Sequence, residues 1–521
     1  MFEHAIIQLL KEFSPSELNR LEKFIKSPYH NNSRKIVNIF MEIKKYHPHF
    51  QSPKLTKENL ALKVNPNKDY NDSTFRDLIS DLHKCIEEFM TIEELNKNET
   101  EKLFLLIRSY SKKKQDRYFN NKIKNILSHL ETGGLDSIYF YNRGLVDMYK
   151  YNYRILNKYE RSVKEIEENK DIKISYMINI YIYFVSELIN IYLNILIVDS
   201  KYKNKNKKKN TILVLKDIDM AFITELLKDR DEKYFILDLY SNLLSAFNNL
   251  CSQKHYIDYK SSFFKYQNHL SRDEISFHNS MLISFCILSN AIDSKKNYDP
   301  ELFEIYKNFL SNNLFFDRKS DHIDLDLYRN ILFLAIRLRE FKWALNFIKT
   351  YSNFIHTSIK ENTINLSLAE YYYHIGSDND SREVMEKAFD YLPKIHEDSF
   401  MLKYDIRDLY LKLYFDLNYY DQMIIYIENY RKFLKRNNLV TGEIKRRVNN
   451  FLKILNKLVF ISEGSSNSSI STLRKEITDA KDMKHRDWLL KKIDETETSK
   501  KSITRKTPDK HLLKKINQSF K

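Results

Sequence analysis

Apolar residues recur at intervals of three and four along most of the chain, the spacing that lines one face of an α-helix. The first series, Leu18, Leu21, Phe24 and Ile25, follows Ser14-Pro15-Ser16-Glu17. There Ser14 suits the cap, Pro15 the first helical position and Glu17 the return bond of a capping box. Ile36, Val37, Ile39, Phe40 and Ile43 predict a second helix ending near His47-Pro48. Ser52-Pro53-Lys54-Leu55-Thr56-Lys57 opens a short third helix. Asp72-Ser73 opens a fourth, with Phe75, Leu78, Ile79, Leu82, Ile86 and Phe89 facing inward. Residues 1–95 therefore form an N-terminal four-helix block. Amphipathic helices continue from about Leu103 to Phe460, a solenoid-like region placed at 100–460. After the polar run Ser465–Ser469, the positions Leu473, Ile477, Ala480, Trp488, Leu489 and Ile493 predict a capping helix or a broken pair over 471–495. A solenoid end needs such a cover. Residues 499–521 read as a basic mobile tail.

Three later stretches share a grammar. Tyr328, Ile331, Leu332 and Ala335 precede Phe341, Ala344, Ile348 and Tyr351; Leu368, Ala369, Tyr372 and Gly376 precede Met385, Ala388 and Pro393; Leu411 and Tyr414 precede Tyr420, Met423, Ile427 and Tyr430. The pattern resembles tetratricopeptide repeats, in which two antiparallel helices interlock with the next pair. In the second copy Gly376 is expected at the inter-helix turn. The equivalent positions 344, 381 and 423 lie 37 and 42 residues apart, so the array is divergent. The expected fold class is all-α, an α-solenoid of tetratricopeptide-like helix pairs behind the N-terminal block. That block, through Lys26-Ser27-Pro28-Tyr29-His30-Asn31, Ser52–Lys57, Tyr70-Asn71-Asp72 and Arg76-Asp77-Leu78, resembles the start of uncharacterised bacterial helical-repeat proteins. The resemblance implies an architecture and carries no activity.

Composition narrows the chemistry. The 521 residues include six glycines, and no proline falls between Pro66 and Pro300. Six glycines cannot furnish G-x-G-x-x-G, a phosphate-cradling P-loop or a G-x-S-x-G elbow, and no H-E-x-x-H occurs. No catalytic, cofactor-binding or metal-binding residue is assigned, no cofactor is expected, and the partner-binding residues are unknown from sequence. His47, His49, His83 and Cys85 form two close pairs, but His83 and Cys85 point about 200° apart on one helix and cannot easily share an ion. A helix-turn-helix reading of 55–90 fails on sign, because Asp77, Asp81, Glu87 and Glu88 outnumber Arg76 and Lys84 on the helix that would face phosphates.

The net charge of +16 concentrates in two places. Lys201, Lys203, Lys205, Lys207, Lys208 and Lys209 form an expected exposed inter-helix loop, and the tail from Lys500 is basic throughout. Both can attract nucleic acid or another polyanion. The segment 176–198 is long and apolar enough to weigh as a membrane span, but Asn179, Glu187, Asn190 and Asn194 interrupt it, so a buried core helix is expected and no span. Cys85, Cys251 and Cys286 are isolated and odd in number, which suits a reducing, cytoplasmic location. The expected function is a non-enzymatic scaffold or adaptor binding a partner peptide or helix on a concave repeat surface. The alternative is a nucleic-acid-associated regulator using 201–209 and the tail.

Overall fold

The computed structural model describes residues 5–64, 66, 70–157, 162–202, 235–293, 296–315, 322–396, 402–437, 442–463, 470–480 and 483–506. Among them every regular element is a helix, and β-pairing is confined to one isolated parallel bridge between Leu135 and Leu270. The chain divides into two compact units, Met1–Ile275 and Ser276–Lys521.

The first unit begins with α1 (Ala5–Lys11), α2 (Pro15–Lys26), α3 (Arg34–Lys44), α4 (Lys57–Val64) and α5 (Asp72–Lys97). Five helices thus stand where four were read, because Ile6, Ile7 and Leu10 bury a further short helix in the same core. Ser14 opens α2 as expected: its hydroxyl accepts the Glu17 N–H at 3.2 Å, and the Glu17 carboxylate accepts the Ser14 N–H at 2.8 Å. Asn71 rather than Asp72 caps α5, accepting the Thr74 N–H at 2.9 Å. Leu18, Leu21 and Ile25 meet Ile39, Phe40 and Ile43 and the Phe75–Ile79–Leu82–Ile86–Phe89 stripe of α5 in one core, while Phe24, Val37 and Leu78 are only partly covered. Each such buried aliphatic side chain contributes about 1.5–3 kcal/mol.

The unit continues with α6 (Glu99–Lys112), α7 (Asp116–Glu131), α8 (Ser137–Asn157), α9 (Val163–Tyr202), α10 (Phe235–Asn248), α11 (Gln253–Tyr266) and the start of α12 (Arg272–Ile292). Successive helices from α6 to α9 pack on one another, as do α10 and α11, and α9 lies against both α8 and α10. Gly144 sits where a Cβ would meet the Ile180 side chain at 2.9 Å, so α8 and α9 approach closely there. Gly134 is required twice over: its φ is +77°, and a Cβ would lie 2.7 Å from the Ser271 nitrogen. Beside it the Leu135 N–H donates to the His269 carbonyl at 2.8 Å, and the Ser271 N–H to the Leu135 carbonyl at 2.9 Å, clasping the α7–α8 turn to the α11–α12 turn.

The second unit holds the rest of α12, α13 (Asp299–Ser311), α14 (Leu325–Arg337), α15 (Phe341–Tyr351), α16 (Thr357–Asp378), α17 (Arg382–Glu386) with 3₁₀ turns after it, α18 (Leu402–Asp416), α19 (Tyr420–Arg436), α20 (Gly442–Ser462), α21 (Ile470–Asp479) and α22 (Arg486–Lys506). Links of three residues join α14 to α15, α16 to α17 and α18 to α19. All three close alike. Arg339, Asp380 and Asn418 take positive φ of 62°, 49° and 62°. The next residue's N–H returns to the carbonyl five back, as Glu340 to Ala335, Ser381 to Gly376 and Tyr419 to Tyr414, at 2.7–2.9 Å. This is the Schellman closure, which normally recruits glycine. Here charged and amide side chains do the work, which reconciles reversing helices with six glycines. Gly376 itself lies inside α16, not in the turn: a Cβ there would meet the Met385 nitrogen and Cγ, both at 2.6 Å. It is the point where the returning helix touches the outgoing one.

The C-terminal region is a broken pair, α21 and α22, with Leu473, Ile477, Leu489 and Ile493 buried beside α19 and α20 residues. Helix α22 runs to Lys506, into the stretch read as a tail; residues 507–521 lie outside the described residues.

Candidate partner-binding site

Helix α18 places Asp405, Asp408 and Asp416 at intervals of three and eight, close to one face of a 3.6-residue helix. No residue from Lys403 to Asp416 is exposed, so these carboxylates point into protein. Burial of a bare charge costs several kcal/mol, and each one is answered by a cation or a chain of donors.

Asp405 pairs with Arg329 of α14. Burial nevertheless pushes its carboxyl up to about 6, against the pull of Arg329. Asp408 is more heavily served. Its Oδ1 accepts the Tyr430 hydroxyl at 3.2 Å, and its Oδ2 meets both Lys484 Nζ and, at 2.9 Å, His485 Nε2. Burial would raise Asp408, but the Lys484 charge and the His485 bond outweigh it and hold the carboxyl down at about 2. Burial and the nearby Lys412 charge pull His485 below the ordinary imidazole range. Because Asp408 is ionised and can only accept, His485 carries its proton on Nε2. The Phe451 ring packs edge-on against that imidazole with centroids 5.0 Å apart.

Two turns further along α18, Asp416 receives α22. Trp488 Nε1 donates to the Tyr373 hydroxyl at 2.8 Å, and that hydroxyl donates to Asp416 Oδ2 at 2.9 Å. Lys492 Nζ lies 2.9 Å from Asp416 Oδ1 and 2.8 Å from Glu495 Oε2. Burial works against the Lys492 charge, but Asp416 and Glu495 more than offset it and raise its pKa, so the ammonium stays protonated. Glu370, on α16, is held below the ordinary range by His374 at 3.3 Å, although burial opposes this. Beside Asp416 and Lys492 opens a polar cleft of about 790 Å³, bordered also by Asp380, Asn418, Tyr420 and Glu495.

The arrangement is therefore a seat for a helix. Two carboxylates on α18, Asp408 and Asp416, with Tyr373 on α16 and Tyr430 on α19, hold Lys484, His485, Trp488 and Lys492 of the C-terminal region, while Asp405 ties α18 to α14. By sequence Trp488 is one apolar position of a cap. The roles of its indole N–H and of the acids opposite are not legible there, because acids at helical spacing ordinarily mark a solvated face.

The other candidates from sequence do not come together. His47 Nε2 bonds the Phe13 carbonyl at 3.0 Å, His83 stands by Glu87 at the surface, and Cys85 is buried in the core of the N-terminal block. No cluster of three or more His, Cys, Asp or Glu suited to a metal occurs among the described residues. Lys201 falls in the last turn of α9, while Lys203, Lys205, Lys207, Lys208 and Lys209 lie outside the described residues. No protein-family model matches this chain, and no curated protein or solved structure is detectably similar to it.

Proposed function

We propose that the chain is a non-enzymatic interaction scaffold whose second unit recognises a partner helix on the acidic face of α18. In this proposal the pairs α14/α15, α16/α17 and α18/α19, with their common closure, are divergent tetratricopeptide-like repeats, and such stacks present concave surfaces to extended partners. The observation that carries the reading is the seating of α22. A helix is already held there by buried charge pairs and a tryptophan N–H, groups that select a ligand rather than merely covering apolar surface. The partner would offer a lysine four residues after a tryptophan, with a basic turn preceding them.

The test is complementation in trans. Trp488→Ala with Lys492→Ala loosens the chain's own helix, and a synthetic peptide of residues 484–498 is then titrated in, followed by fluorescence anisotropy. Micromolar binding, abolished by a further Asp416→Asn, is the expected result. In parallel, affinity purification of the intact chain from its host should retain a protein partner after nuclease treatment and lose it with Asp416→Asn. A peptide that binds no form of the chain, or a pulldown whose only product is nuclease-sensitive, overturns the reading and favours the nucleic-acid alternative.

A further inference from the structure

Helix α9 is 40 residues long and was expected to be a buried core helix over 176–198. It buries only one face. Ile178, Ile182, Val185, Ile189 and Leu193 are covered, and among the described residues the main elements packed against α9 are α8 and α10. On the opposite side Met177, Phe184, Ile191, Ile195 and Val198 remain 40–60% exposed. Isolated surface hydrophobics need no explanation, but a contiguous uncharged stripe of this length does.

The exposed side has a period. Ile174, Met177, Tyr181, Phe184, Leu188, Ile191, Ile195 and Val198 follow one another at alternating steps of three and four. These eight consecutive apolar positions are the a and d sites of a heptad repeat, which selects another helix as occupant. A bilayer would ask only for an apolar stripe, without that rhythm.

We propose that the occupant is the α9 of a second copy of this chain, packed antiparallel about a two-fold axis. In that register Ile174 lies level with Val198 of the partner subunit, Met177 with the partner's Ile195, Tyr181 with the partner's Ile191, and Phe184 with the partner's Leu188. Each layer sets an a position against a d position, and each aromatic ring falls opposite an aliphatic side chain. A parallel pair would stack Phe184 on its own copy and Tyr181 on its own copy. The surface is self-complementary, as a two-fold interface must be, and no charge on the stripe opposes the pairing.

Area agrees. The five exposed side chains leave roughly 500 Å² of surface, and the half-buried a positions Ile174, Tyr181 and Leu188 extend it towards the roughly 800 Å² that a stable interface takes from each partner. The competing occupant within the chain is residues 203–234. There no heptad frame holds more than three consecutive apolar a and d positions, against eight on α9.

The measurement is the mass of the full chain by light scattering coupled to size exclusion at 5–50 µM, a range set to exceed about micromolar Kd. Twice the 62.9 kDa of one chain is expected. Phe184→Glu with Ile191→Glu should give the single-chain mass with unchanged helical circular dichroism. Should that variant misfold, a second route remains. In a Cys251→Ser background, mild oxidation of mixed Tyr181→Cys and Ile191→Cys chains should link the two, while neither variant alone links to itself. A single-chain mass for the wild-type protein overturns the proposal, whether its stripe proves shielded by 203–234 or floats with anionic vesicles. A dimer that survives both glutamates overturns it as well.

Discussion

Asp408→Asn removes one negative charge from a site where four groups converge, and its effect can be worked from the structure. The Asp408 carboxyl ordinarily titrates near 3.8 and is held at about 2 in the folded unit. A depression of roughly two units corresponds to about 2.5 kcal/mol of preference for the ionised form. Breaking one side of a buried pair typically costs about 3–5 kcal/mol, because the partner charge is left uncompensated. Asparagine keeps the shape and can still accept from Tyr430, which trims the loss. A destabilisation of about 3 kcal/mol is therefore expected. Adding Lys484→Met should recover most of it, since the stranded cation is then gone.

The assay is unusually direct. Both tryptophans of the chain, Trp343 and Trp488, lie in the second unit, so their emission through a urea titration follows that unit alone. The acid limb supplies an independent check. A carboxylate whose pKa is lower folded than unfolded contributes stability that is complete above about pH 4 and lost as pH falls towards 2. The wild-type protein should show that loss and Asp408→Asn should not. A variant within about 1 kcal/mol of wild type, given the cost usually seen for a broken buried pair, would refute the argument that this carboxylate holds the C-terminal helices.

Asp405 has the opposite sign. Burial raises it to about 6 from 3.8, so between about pH 4 and 6 the folded state holds the extra proton and stability falls as pH rises, by up to about 3 kcal/mol. Asp405→Asn should flatten that slope in urea midpoints taken across the window; an unchanged slope contradicts it. Gly376→Ala drives a Cβ to within 2.6 Å of the Met385 backbone nitrogen and should cost about 1–3 kcal/mol by the same titration. Arg339→Gly relieves a left-handed residue at φ 62° and should raise stability by up to about 1 kcal/mol, with a neutral result implying that the Asp378 ion pair at 2.9 Å offsets the strain.

What the sequence made legible was local. Ser14 and Glu17 form their capping box because both halves are written within four residues. Of Tyr371-Tyr372-Tyr373 at most two could point inward, and Tyr371 and Tyr373 are the buried ones. The failures are tertiary. Gly376 looked like a turn residue, since glycine is the usual helix terminator, yet its task is to let Met385 approach. The turns fell to Arg339, Asp380 and Asn418; Asn and Asp tolerate positive φ better than most residues, but both are too frequent in this chain to mark a turn by themselves. Nor could Asp405, Asp408 and Asp416 be told from a solvated stripe, because their cations stand 76 residues either side. Helix 176–198 reads as core because of its polar interruptions, yet it buries one face and leaves Met177, Phe184, Ile191, Ile195 and Val198 exposed, a division that composition does not carry.

The charges beneath α22 also bear on specificity. Asp408 and Asp416 are eight residues apart on α18, and Lys484 and Lys492 are eight apart on the segment they receive. Leu489 and Ile493 would tolerate a slip by one turn, since apolar surface is non-directional. The two ion pairs would not, because either slip strands a buried charge. We therefore expect the pairs to fix register more than strength. Replacing them together, with Asp408→Leu, Lys484→Met, Asp416→Leu and Lys492→Met, should leave stability within about 2 kcal/mol of wild type, as apolar replacement of buried pairs often does. It should also split the environment of Trp488. With 5-fluorotryptophan at Trp488 and Trp343→Phe, the wild-type protein should give one ¹⁹F resonance and the fourfold variant several. A single unshifted resonance would mean that apolar packing alone sets the register, and the acidic seat would then have no claim to select its helix.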